Sequence, residues 1–168
     1  MSTHVSSSQA AAHSLGRTAD LIMLGTLLVY SAAALAIGTY YGSPGLAAGV
    51  SLLLLLVGGA VFSGAAGSGL SRSVLALCLS AAVALHIHLG RGTLEFHFGV
   101  FVTLALLLVY RDWRPIVVTA AFFAVHHVAF DRMQAAGMGV YCTPEPNFLK
   151  IVMHAGYVVL QTALEVLI

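Results

Sequence analysis

Ionised side chains are scarce in this chain: seven Lys and Arg and six Asp and Glu among 168 residues, 8% charged against 60% hydrophobic. Soluble domains carry about 25% charged residues, so a soluble globular fold is excluded. The net charge of +1 gives no basis for a nucleic-acid partner or an acidic one. Cysteine is rare too. Cys78 falls in an apolar run and Cys142 in a loop, a spacing compatible with a pair or with two separate thiols, and there is no CxxC knuckle. Signatures of hydrolytic and nucleotide chemistry are missing: the chain has no GxSxG, HExxH or Walker loop.

In place of charge there are apolar runs near the roughly 20 residues that cross a bilayer. Helices are expected over 20–40, 46–66, 73–89, 95–111, 115–131 and 148–168. Gly42-Ser43-Pro44-Gly45 separates the first two, Gly67-Ser68-Gly69 ends the second, and Gly90-Arg91-Gly92 makes a tight third turn. Tyr110-Arg111-Asp112-Trp113-Arg114-Pro115 puts aromatic and basic residues at headgroup depth and proline at a helix start. The longest loop, 132–147, holds Pro144 and Pro146. Residues 1–19 read as a disordered cytoplasmic tail, not a cleaved signal peptide, because Arg17 directly precedes a full-length span. The fold class expected is an all-α integral membrane protein, a bundle of about six transmembrane helices forming one domain over 20–168 in the lipid bilayer.

With both termini in the cytoplasm, Arg17, Arg72, Arg111 and Arg114 lie inside and Arg91, Arg132 and Lys150 outside, in the direction of the positive-inside rule. Gly45-xxx-Gly49 and Gly58-Gly59 on the second helix suit a homodimer face or ordinary small-residue packing.

Histidine is the unexpected residue. Eight occur, and His4 and His13 sit in the tail. His86 and His88 close the third helix, His97 opens the fourth, His126 and His127 close the fifth, and His154 opens the sixth. Antiparallel helices with short connections bring all these ends to one side, each histidine within roughly 10 Å of its helix end. Glu95 and Asp131 fall in the same layer. On the last helix His154, Tyr157, Gln161 and Glu165 form a polar stripe that must face protein, since such groups in hydrocarbon cost several kcal/mol unsatisfied.

A single imidazole near a membrane interface is ordinarily hydrogen-bonded structure. Six at one depth on four helices, with a carboxylate, point to a metal site between helices three and six near the outer face. The expected ligands are His86, His88, Glu95, His97, His126, His127 and His154, with Asp131, Tyr157 and Gln161 orienting them. On a regular helix His86 and His88 lie about 200° apart and His126 and His127 about 100°, which favours more than one ion. Copper ranks first, then iron and zinc. Haem b is the alternative: two axial histidines, room at Gly99, Gly156 and Ala120-Ala121, and Arg91 or Arg132 for the propionates. A membrane metal-dependent oxidase or hydroxylase and a metal transporter are further options, though no acid–base or nucleophile motif supports an enzyme.

Together, His86-x-His88, Glu95-x-His97-Phe98-Gly99, Tyr110-Arg111-Asp112-Trp113-Arg114, His126-His127 and His154-Ala155-x-Tyr157-Val158-Val159-x-Gln161-Thr162 resemble a family. It is the N-terminal histidine-rich membrane sensor region of bacterial methyl-accepting chemotaxis proteins and related signalling proteins, matched over about residues 75–163. The resemblance implies a sensory input role in a bacterial inner membrane and a cytoplasmic signalling domain as partner. This chain departs from the family pattern by stopping at Ile168 inside an apolar helix, so the output domain is expected in a longer protein.

Overall fold

Glycine, proline and short polar side chains cut the apolar sequence into helices, and the caps are local. Pro44 occupies the first turn of a helix, where its missing N–H costs nothing. Ser68, Asp112 and Asn147 cap three others, their side chains accepting from Ser71 N, Arg114 N and Lys150 N. The computed structural model describes residues 2–168, with side chains from His13 onward. It contains α1 (Ser2–Tyr40), α2 (Pro44–Ala65), α3 (Gly69–Leu89), α4 (Leu94–Leu107), α5 (Trp113–Ala135) and α6 (Phe148–Leu167), and no strand among the described residues. A single 3-10 turn, Leu108–Tyr110, prolongs α4.

Five segments are long and apolar enough to cross a membrane: His13–Tyr40, Pro44–Ala65, Gly69–Leu89, Trp113–Ala135 and Phe148–Leu167. The fourth helix with its 3-10 turn, Leu94–Tyr110, is shorter. At about 1.5 Å per residue it falls several ångströms below the roughly 30 Å hydrocarbon core.

Residues 2–19, expected as a disordered tail, instead continue α1. The side chain of His4 lies outside the described residues. The physical reason for the longer helix is contact: a Cβ on Gly16 would come within 2.9 Å of Gly67 O, and Ala19 and Asp20 are buried. α5 is also longer than expected, carrying Arg132, Met133 and Gln134 on its last turn and shortening the loop that follows.

The middle of the bundle is α3, which packs against α1, α2, α4 and α5. Its Ala76, Ser80, Ala82 and Ala84 are small enough for close approach, and Leu75, Leu79, Val83 and Ile87 fill the space between. Gly58 belongs to this packing, since a Cβ there would press on Leu24, Leu27 and Leu75, whereas Gly45, Gly49 and Gly59 face open space. By contrast α6 packs chiefly on α5, and less on α4, and is the most exposed span, 11% of its apolar stretch buried against 67% for α3.

One carboxylate ties the end of the bundle opposite the histidines. Fully buried Asp20 accepts from Gly67 N at 2.7 Å, Ser71 Oγ at 2.7 Å and Tyr110 Oη at 2.9 Å. Those three bonds join α1, the α2–α3 turn, α3 and the 3-10 turn. Arg72 pairs with Asp112 at 3.4 Å beside them. Asp20→Ala strands three donors, so we expect a loss of about 2–3 kcal/mol, read as a lower Tm in detergent. A Tm equal to that of the parent protein would show that the network is incidental.

Candidate metal centre

At the other end, two connections close the bundle and press on each other. Gly92 has φ +75, and a Cβ on it would collide with the backbone of Thr143. Gly90 leaves no room for a side chain beside the Phe96 ring. The 136–147 loop is then pinned from α5 and α3. Gln134 donates from Nε2 to Thr143 O at 2.7 Å, and its Oε1 accepts from Cys142 N at 2.8 Å and Thr143 N at 3.3 Å. Asp131 Oδ1 accepts from Asn147 N at 3.0 Å, and His88 Nδ1 from Tyr141 N at 3.2 Å. The result is a fully buried Cys142 held against the ends of α4 and α5.

Cys142 meets His97 and His127 there: one ligand atom from each lies within 4.8 Å of the other two. The His154 ring closes the group, 5.3 Å from the His97 ring and 5.9 Å from the His127 ring, with 5.4 Å between those two. Backbone carbonyls set the tautomers. His97 Nδ1 donates to Thr93 O at 3.2 Å and His127 Nδ1 to Phe123 O at 2.8 Å. A carbonyl only accepts, so Nδ1 carries the proton and the lone pair sits on Nε2. The Nε2 atoms of His97, His127 and His154 are buried and have no hydrogen-bond partner among the described residues.

Such an arrangement is what a transition metal requires: neutral imidazoles oriented from behind by carbonyls, and a thiol beside them. Bonds of about 2.0–2.3 Å would bring the donors to roughly 3–4 Å from one another, an inward movement of about an ångström. Burial, and then the Asp131 carboxylate, push the Cys142 thiol up to about 12, so an arriving metal has to displace its proton.

The other expected site residues lie elsewhere. His86 Nε2 donates to Tyr30 O at 2.8 Å and joins α3 to α1. His88 supports the loop through Tyr141. Glu95 is exposed on the first turn of α4. Asp131 anchors the start of α6 rather than a histidine. Tyr157 is 67% exposed, so the polar stripe of α6 is narrower than expected. At about 100° per residue, Gln161 and Glu165 stay within about 20° of His154 on either side, while Tyr157 falls about 60° away. Gln161 Nε2 donates to Glu165 Oε1 at 2.5 Å and to Phe101 O at 3.3 Å, joining α6 to α4. His126 packs against Phe122 and Phe130, and its ring lies 5.3 Å from the His127 ring, at the edge of the group. The residue that sequence reasoning missed is Cys142. It is one of two free thiols, and the only available cue was its place in a loop between histidine-bearing helices.

For a haem, the relevant space is an apolar groove of about 520 Å³ between α5 and α6, lined by Ala120, Ala121, Ala124 and Ala155 with His127 and His154. Of the other haem features, Gly99 is filled by Val83, Arg91 lies over Tyr41, and Arg132 lies 4.2 Å over Phe148.

Comparison with protein-family models, curated proteins and solved structures finds no match. Function therefore has to be argued from these side chains.

Gly92→Ala forces both a strained φ and a collision with Thr143, so the Cys142 loop should open more often. In a Cys78→Ala background, thiol labelling of Cys142 is expected to rise roughly tenfold. An unchanged labelling rate would mean that Gly92 does not hold the loop down.

Proposed function

We propose that this chain is a membrane sensory input module built on a metal centre of His97, His127, His154 and Cys142. One observation carries the reading: the Cys142 thiol converges with ligand atoms of His97 and His127, and the buried Nε2 atoms of His97, His127 and His154 have no hydrogen-bond partner among the described residues, two of them with lone pairs fixed by carbonyls behind them. Copper is the metal this donor set suits best, because thiolate and imidazole together favour soft and borderline ions; zinc and iron follow. His126, His88, His86 and Glu95 are left outside the first coordination shell.

The sensory role draws support from where His154 sits. It lies near the start of the most exposed span, α6, which packs chiefly on α5 and α4. Metal loading or a change of oxidation state would pull His154 toward α4 and α5 and shift α6 as a unit. In the orientation with cytoplasmic termini, the centre lies toward the outer face of a bacterial inner membrane. The end of α6 then faces the cytoplasm, where a signalling domain would receive the shift. A haem b sensor is the second reading, favoured by the alanine-lined groove that ends on His127 and His154.

Metal content and absorption of the purified protein test both. The metal-centre reading expects a stoichiometric transition metal without a Soret band, while a Soret band transfers the site to haem. His97→Gln, His127→Gln, His154→Gln and Cys142→Ser should each weaken metal binding by at least about 100-fold, and His86→Gln should leave it intact. Equal metal content in all five variants would overturn the proposal.

A further inference from the structure

A second groove runs along the other face of α5. It is enclosed by α2, α3 and α5, has a volume of about 470 Å³, and is lined by Leu46, Val50, Ala84, Phe122, Val125 and His126 among others. Nearly all of this wall is hydrocarbon. Val125 at its edge is 70% exposed, on a span that faces lipid, so the groove is reached from within the bilayer.

His126 is out of keeping with such a wall. The residue is only 7% exposed, and neither Nδ1 nor Nε2 has a hydrogen-bond partner among the described residues. A neutral imidazole always presents one N–H and one lone pair, and both are left unmatched here. Phe122 lies parallel to the ring at 6.2 Å, and Phe130 lies 4.2 Å away on the other side. Beyond Phe130, at 6.3 Å, is His88, which also lines the groove. Because its Nδ1 accepts from Tyr141 N, the His88 proton is on Nε2.

The occupant therefore has to be lipid-soluble, flat enough to lie beside phenylalanine rings, and equipped with polar oxygen at the depth of His126. An acyl chain offers no such atom, and a charged headgroup would be stranded among the apolar walls. We propose that this groove binds a quinone. A carbonyl oxygen accepts from an imidazole N–H, the hydroxyl of the quinol form donates to the His126 lone pair, and the isoprenoid tail leaves past Val125 into the bilayer. The assignment concerns binding only; the His126 ring meets the His127 ring edge to face at 5.3 Å, so the groove and the proposed metal centre adjoin at α5.

Decylubiquinone titrated into the purified full chain in nanodiscs, with retained quinone measured after separation, tests this directly. Saturable binding of one molecule per chain is expected. His126→Leu should weaken it at least about tenfold, the equivalent of one lost hydrogen bond. Val125→Trp changes only a lipid-facing residue and should do the same by blocking the mouth, which guards against a folding defect in the first variant. Non-saturable uptake that is equal in the parent and both variants would reduce the effect to partitioning into lipid and overturn the proposal. Equally ready displacement by oleic acid would do so as well, leaving an acyl-chain groove.

Discussion

Everything in this bundle follows from the cost of a polar atom in hydrocarbon, where no solvent supplies a missing partner. The two ends of the molecule meet that cost differently. The Asp20 carboxylate is fully matched: its two oxygens receive three donors from three separate segments. The histidines are not. Five nitrogens of His97, His126, His127 and His154 are buried with no hydrogen-bond partner among the described residues. A matched carboxylate ties three segments together, whereas an unmatched imidazole leaves a donor and an acceptor without a counterpart.

The geometry of α5 decides how the histidine end is divided. Consecutive residues on a helix point about 100° apart, so His126 and His127 line different grooves although their rings meet at 5.3 Å. His127 turns toward α4 and α6, and His126 toward α3, with a groove on each side of the helix. The pairing of the two histidines in sequence is thus a division of labour in space. Phe122 and Phe123, one turn earlier, repeat the division: Phe122 stacks beside His126, and the Phe123 carbonyl holds the His127 tautomer.

Much of this was legible in the sequence, for physical reasons that also explain the rest. Helix placement follows from apolar length and turn chemistry, and those signals are local; glycine and proline marked every connection. The common depth of the histidines follows from antiparallel hairpins. What the residues could not convey is direction around each helix axis relative to neighbours, which is set by packing. His86 therefore looked like a ligand until Tyr30 O on α1 stood beside it. Tyr157 looked inward because spacing of three or four residues tolerates a deviation of about 60°, enough to leave a stripe. The helical tail was missed because its evidence is a close approach of Gly16 to Gly67, a contact between residues far apart in the chain.

Cys142 shows the deeper reason. Its position depends on no periodic element but on a loop held by Gln134, Asp131, His88 and the bare backbone of Gly92. Gln134 uses both ends of its amide on the loop backbone, in three bonds. Asp131 holds the loop's last residue and, through it, the N-cap of α6. The same loop thus sets the thiol and the start of the helix that carries His154. A thiol from no periodic element and the first turn of the last helix are thus placed by one short covalent segment, from Cys142 to Asn147, and by the residues that hold it.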